Sequence, residues 1–547
     1  MSERQAAVEQ WTALDGGNKM NIKNPILPGF HPDPSIIRVE DDYYIATSTF
    51  EWFPGIQLRH SEDLKNWKNI GYALTRTSQI DLKGCDISGG VFAPCLTYHN
   101  GTYYLMYTNV RTHWYAYMDC HNYLITTKDI YGEWSDPIYI HSAGFDPSLF
   151  HDDGRKWVTS VLRRYRADEN GGTMAGIVIQ EFDEKTGSLV GELHHIYNGS
   201  GKITTPEGPH IYKKDGWYYL LAAEGGTEYG HAATLARSKN ILGPYELCPH
   251  NPILTSRDDL SLELQKAGHG DLVETPSGEW YMVHLCSRPL PPFRRCILGR
   301  ETAIQKVVWD SEGWLQLEDG SHSPKVEVEI PNMVEGQATP KSKKYLFDSD
   351  KLDFDFQSLR IPLDESMMSL TERRGYLRLI GKDSPNSRFE QSMVVRRQES
   401  FHFTAETCVE FDPTSERQMA GLIYIYDTDD FCYLRVTCNY HGKRILDVLT
   451  LEHGNPTYSP VKGIEIGDHR QIYLKLTVKK DVGVFSYSFD AVDWNEIGHK
   501  VDASKLSDEH CKEGAYTGAM VGMCCSDMLY RKAYADFGYF EYVAEDE

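Results

Sequence analysis

Asp33, Asp146 and Glu207 each stand immediately before an apolar strand pattern, and each is followed eight or nine residues later by a polar turn position. Ala93 holds the same phase, and His269, between Gly268 and Gly270, lies close to it in a fifth unit. A single acidic residue before a turn is ordinary, since Asx-type turns favour it. Three acidic residues at one repeated phase form a set that can divide proton donation from proton acceptance. Like-charge repulsion among them would raise the pKa of the member that must stay protonated. His269 reads either as a ligand to a metal or water on a shared axis or as a structural histidine.

The elements that would gather these residues are visible as a repeat. Five segments share an apolar strand, a polar turn and an aromatic strand, as in Pro94-Cys-Leu-Thr-Tyr-His-Asn-Gly-Thr-Tyr-Tyr-Leu-Met106 and Pro209-His-Ile-Tyr-Lys-Lys-Asp-Gly-Trp-Tyr-Tyr-Leu220. Their turn positions are Asp42, Gly101, Gly154, Gly216 and Gly278, at intervals of 59, 53, 62 and 62 residues. Five near-equal units of short strands predict a five-bladed β-propeller, whose innermost strands line a central channel. The phased residues should meet at one mouth of it. Converging carboxyl groups with aromatic neighbours such as Phe50, Trp52 and Phe92 suit cleavage of a glycosidic bond, where one carboxyl donates to the leaving oxygen and another is ionised.

Composition narrows the alternatives. The 547 residues include 56 Lys+Arg against 79 Asp+Glu, a formal net charge of −23. That balance opposes a nucleic-acid binder or a protein docked on anionic lipid. No apolar run approaches a membrane span. Gly199-Ser-Gly-Lys202 superficially resembles a phosphate loop but lacks its spacing, and no zincin motif occurs. The 12 cysteines contain no C-x-x-C pair and read as free thiols. No apolar leader follows Met1-Ser2-Glu3-Arg4-Gln5, so a cytoplasmic protein is expected, with a mature secreted form as the alternative.

The expected organisation is all-β: a tail over 1–19, the propeller over 20–326, a linker over 327–344 and a β-sandwich over 345–547. The linker reading rests on Pro331, Gly336, Pro340 and nearby lysines. Period-two alternation in stretches such as Gln471-Ile-Tyr-Leu-Lys-Leu-Thr-Val478 predicts the sandwich. One helix-like stretch is expected over 258–266.

Phe30-His-Pro-Asp-Pro-Ser35, Gly144-Phe-Asp-Pro-Ser-Leu-Phe150 and Thr205-Pro-Glu-Gly-Pro-His210 closely resemble the three signature segments of glycoside hydrolase family 43. Ala46-Thr-Ser-Thr-Phe-Glu-Trp-Phe-Pro-Gly55 and Leu298-Gly-Arg-Glu-Thr-Ala-Ile-Gln305 extend the match, which covers about residues 20 to 545 and resembles the β-xylosidase branch with a C-terminal jelly-roll, concanavalin-like sandwich. The resemblance implies an exo-acting, inverting enzyme that releases xylose from the non-reducing ends of xylo-oligosaccharides. Asp33 would be the general base, Glu207 the general acid, and Asp146 the residue that tunes and orients the acid.

Arg300 and Phe50 match substrate-binding positions. His269 matches a histidine on the propeller axis, beside which some members hold calcium or another divalent cation, although no cofactor is implied to be required. Tyr516 matches an aromatic, usually Phe, that the sandwich lends to the pocket. Phe92 and Cys95 depart from the family pattern, standing where many members have Trp and Asp. α-L-Arabinofuranosidase activity, as a side or main activity, and a non-catalytic carbohydrate-binding propeller are the rival readings. The partner expected is an oligosaccharide of xylose, or one substituted with arabinose. A homo-oligomer is expected by analogy alone.

Overall fold

The computed structural model describes residues 20–112, 117–166, 172–330, 336, 339–512 and 516–545. The expected N-terminal tail, 1–19, lies outside the described residues. Five antiparallel sheets follow one another in chain order, each built from strands close in sequence, the first leaving out Trp52–Phe53. Their first strands are Ser35–Val39, Gly90–His99, Ser148–Asp152, Glu207–Lys214 and Gln265–Glu274. These first strands touch one another in a closed ring, the fifth packing on the first. Tight hairpins join first to second strands, helped by left-handed glycines such as Gly101 (φ 73°) and Gly154 (φ 84°). Each pair of neighbouring blades buries its own apolar wedge. Tyr44, Leu96 and Tyr103 belong to one, and Tyr219, Leu272 and Met282 to another.

The propeller is closed by a strand pair rather than by a blade shared between the two ends. Met20–Lys23 runs antiparallel to Glu327–Ile330. The stretch expected as a linker therefore begins as ordered strand. It ends as strand too, because Lys343–Tyr345 pairs with the last strand of the sandwich, Tyr534–Ala544. The helix expected over 258–266 is absent: the chain there makes turns, and the strand Gln265–Glu274 takes up its last residues. Asp259 Oδ1 accepts from the backbone and hydroxyl of Ser261, a local bonding that competes with helix.

Residues 343–544 form two large antiparallel sheets around one continuous core that includes Phe403, Tyr424, Leu474 and Phe537. The two domains share a ladder. Trp52–Phe53, in the loop after the second propeller strand, pairs with Ser358 and Leu359 at the edge of a sandwich sheet. Arg397 of the sandwich donates to the carbonyl of Phe30 at 2.6 Å. All 12 cysteines are unpaired, and all but Cys511 are buried. No helix among the described residues is long and apolar enough to cross a membrane.

Candidate active site

The phased positions share a backbone habit as well as a place. Asp33, Ala93, Asp146 and His269 all have positive φ (52°, 27°, 53° and 45°), as does Gly208 (54°) beside Glu207. Non-glycine residues rarely adopt this conformation. The strand pairing slips at the same points, between Phe92 and Cys95, between Glu207 and His210, and on both sides of Gly268. Such bulges re-aim side chains out of a regular ladder. Here they turn polar groups inward at one mouth of the ring.

The result is a cavity of about 270 Å³ lined by Asp33, Asp146, Glu207, His269, Arg300, Phe50, Phe92 and Tyr516, among others. These eight side chains thus meet, whereas Trp52, named beside Phe50 and Phe92 from the sequence, is buried with Leu359 and Met393 and does not line the cavity. Asp33 is bound on three sides: Ser48 Oγ donates to Oδ2 at 2.7 Å, while His269 Nδ1 and Arg300 Nη1 lie 3.3 and 3.4 Å from Oδ1. Burial alone would raise its pKa. Arg300, His269 and Ser48 outweigh that and hold the carboxyl well below the usual range.

Glu207 faces the opposite balance. Burial, and then the neighbouring charge of Asp146, push its carboxyl up to about 8. Asp146 is itself raised to about 6, chiefly by burial. Asp146 Oδ2 accepts from the Gly208 backbone at 3.0 Å, which ties it to the residue next to Glu207. A Cβ at Gly208 would lie 2.6 Å from His269 Nε2, so only glycine lets the acid-bearing strand come this close. Burial disfavours the His269 cation, but Asp33 more than compensates, and its pKa rises to about 9.

Phe50, Phe92 and Tyr516 form a continuous aromatic wall, with ring centroids 4.7, 5.7 and 5.8 Å apart. The Arg300 guanidinium lies 5.0 Å from the Phe50 ring and 5.1 Å from the Tyr516 ring. Its Nε and Nη2 donate to the Tyr516 carbonyl at 3.2 and 2.8 Å, and Nη1 donates to Thr227 Oγ1 at 3.0 Å. The sandwich therefore completes the pocket with one ring and one backbone oxygen. Contact there is backbone to backbone: a Cβ at Gly299 would lie 2.1 Å from the Thr517 carbonyl.

Cys95, the second departure from the family pattern, is buried between blades with Tyr104, Met106 and Leu149 and does not line the pocket. Sequence reasoning missed Thr227, His231, Arg163 and the apolar side made by Met118, Phe145 and Met174. Phe145 was within reach, since it lies inside a quoted motif; the others occupy no repeated phase. The loop resembling a phosphate site binds the chain's own carboxylate instead, with Ser200 N and Oγ donating to Glu224 at 2.7 and 2.8 Å.

His269 does not gather with two further ligands into a metal-binding group among the described residues. The groups whose ligand atoms come together there are Asp430–His453–His510, Asp427–Asp430–Cys511 and Asp42–His60–Glu62. His269 is instead engaged by Asp33.

A propeller whose axial mouth holds an ionised carboxylate, a carboxyl kept protonated by burial and a sugar-sized aromatic pocket defines a glycoside hydrolase. Residues 22–315 match the model of glycosyl hydrolases family 43, and residues 344–543 match the β-xylosidase C-terminal concanavalin A-like domain. The chain belongs to glycosyl hydrolase family 43. It is 46% identical to xylosidase/arabinosidase 43B of Humicola insolens, over 95% of this chain and 97% of that protein. It is 45% identical to a β-xylosidase of Bacillus subtilis, over 96% and 99%. A crystal structure of xylan β-1,4-xylosidase from Bacillus halodurans superposes with a TM-score of 0.93 at 50% identity, covering 95% of this chain and 99% of that one.

Proposed function

We propose that the chain is an exo-acting, inverting β-xylosidase that releases xylose from the non-reducing ends of β-1,4-xylo-oligosaccharides. Asp33 takes a proton from the attacking water, and Glu207 protonates the leaving oxygen. Asp146 raises and orients Glu207 through its charge and its bond to Gly208 N. Arg300, with Phe50, Phe92 and Tyr516, holds the terminal sugar. The observation that carries this reading is the opposite tuning of two buried carboxyl groups in one cavity: Asp33 is held ionised by Arg300 and His269, while Glu207 is held protonated by burial and Asp146. Splitting acid and base in this way is what an inverting displacement requires.

The small cavity, walled on one side by Phe50, Phe92 and Tyr516, supports action at a chain end over a chain interior. Similarity to a relative named for both xylosidase and arabinosidase activity supports α-L-arabinofuranosidase as a side activity. An ion beside His269 would supply electrostatic stabilisation to the charged groups of the pocket.

The test is turnover of an aryl β-xyloside, an aryl α-L-arabinofuranoside and xylobiose, with and without chelator. Asp33→Ala should lose activity by several orders of magnitude while keeping its circular dichroism. Near-normal turnover by that variant would refute the assignment of the base. A chelator-sensitive parent would show that an ion takes part. NMR detection of β-xylose as the first product would exclude inversion.

A further inference from the structure

Lys266 has no exposed side-chain surface, yet three carboxylates surround it. Its Nζ lies 3.2 Å from Glu228, 3.3 Å from Asp508 and 2.8 Å from Glu509. The Tyr229 ring lies 5.4 Å from the same nitrogen. Glu228 belongs to the propeller, whereas Asp508 and Glu509 follow the short 3-10 turn Ala503–Lys505 of the sandwich. Each sandwich acid has a second tie. Tyr426 donates its hydroxyl to Asp508 at 2.6 Å, and Cys296 donates its backbone N–H to Glu509 at 2.7 Å. An ammonium taken wholly out of water is costly unless well paired. The cluster therefore makes its geometry strongly preferred over one in which the domains have drifted apart.

The cluster is joined to the pocket through its neighbours in the chain. Glu228 follows Thr227, the hydroxyl that accepts from Arg300 Nη1. Asp508 and Glu509 stand eight and seven positions before Tyr516, the residue whose carbonyl accepts from Arg300 Nε and Nη2. Lys266 also faces the cavity through its own backbone: it has φ 56°, and its carbonyl accepts from His231 Nδ1 at 2.9 Å. His231 lines the pocket. The far side of Tyr516 is pinned separately, by Thr517 against Gly299 and by Ala519 N on the Ile297 carbonyl at 3.3 Å.

We propose that Lys266 is a positioning residue for sugar binding. By drawing Glu228 of one domain and Asp508 and Glu509 of the other to a single point, it holds both anchors of Arg300, Thr227 Oγ1 and the Tyr516 carbonyl, where the terminal sugar needs them. This rests on the reading that the pocket binds that sugar.

The test uses the full chain. Lys266→Met alone leaves two buried carboxylates without their counter-charge and is expected to unfold more readily. The triple variant Lys266→Met/Asp508→Asn/Glu509→Gln removes the lysine and both sandwich acids together, so neither sandwich acid is left as a charge without its partner. It is expected to melt close to the parent, with KM for an aryl β-xyloside raised about tenfold and kcat changed less. Hydrogen exchange at the His231 amide, which donates to the carbonyl of Glu228 at 2.9 Å, should be faster. A folded triple variant with parental KM would overturn the proposal, because the cluster would then serve stability alone. Should the triple variant not fold, Asp508→Asn/Glu509→Gln is read by the same two measurements and the same criteria. If the parent turns over neither xyloside nor arabinofuranoside, the sugar-binding reading fails by itself. Exchange at the His231 amide then decides the lock, with unchanged exchange overturning it.

Discussion

The propeller and the sandwich are built from the same antiparallel ladders and use them to opposite ends. The sandwich pools much of its apolar surface into one core between two sheets, and a second apolar face, with Met393, Ile423 and Tyr433, packs against Phe30, Phe50 and Trp52 of the propeller. The propeller divides its apolar surface into wedges between blades. That division leaves an axis no wedge fills, and there Asp33, Asp146, Glu207 and His269 can be buried together while bonding one another and Arg300. A ring of small cores can thus hold a charged centre on its axis, where no single core runs through. The sandwich contributes to that centre through the Tyr516 ring and carbonyl.

The contrast can be broken at either side. The largest effect is expected on the propeller axis. Glu207 acts protonated, so the rate should fall as pH rises through about 8. Glu207→Gln should abolish that alkaline limb and slow xylobiose hydrolysis by about 10²–10⁴-fold. An aryl xyloside with a good leaving group should suffer less, because it needs less protonation. Equal losses on both substrates, measured side by side, would count against Glu207 as the acid.

A smaller loss is expected from pushing the domains apart. Gly299→Ala sets a methyl against the Thr517 carbonyl and moves Arg300 off the Tyr516 oxygen. A displacement of this kind should lower kcat/KM by about 10²-fold with both domains still folded. Unchanged kinetics would mean that the sandwich is an accessory to the pocket. The smallest effect is expected in the wall. Phe92→Trp keeps a stacking face and adds an N–H donor, so the ratio of xyloside to arabinofuranoside turnover should shift by less than about tenfold. A larger shift in that ratio would make Phe92 a principal determinant of the sugar.

How much of this was readable in the chain varies by region. The five phased units pointed to the ring, and the phase of Asp33, Asp146 and Glu207 placed them on its axis before any coordinate. Arg300 and Tyr516 were reached only through resemblance, because neither shares that phase. Thr227 and His231 were not reached at all: they lie in a loop between blade strands, where no periodicity marks a residue as inward-facing. Lys266 was read as the end of a helix-like stretch, whereas it sits at the start of the innermost strand of the last blade.

Local chemistry written in the chain determined the strands, the turns and which acidic residues recur at one phase, since these depend on neighbours a few positions away. Tertiary structure alone decided which carboxyl stays ionised and which keeps its proton. That choice comes from burial and from charges such as Arg300 and His269, which the closed ring and the docked sandwich bring within a few ångströms of residues hundreds of positions distant.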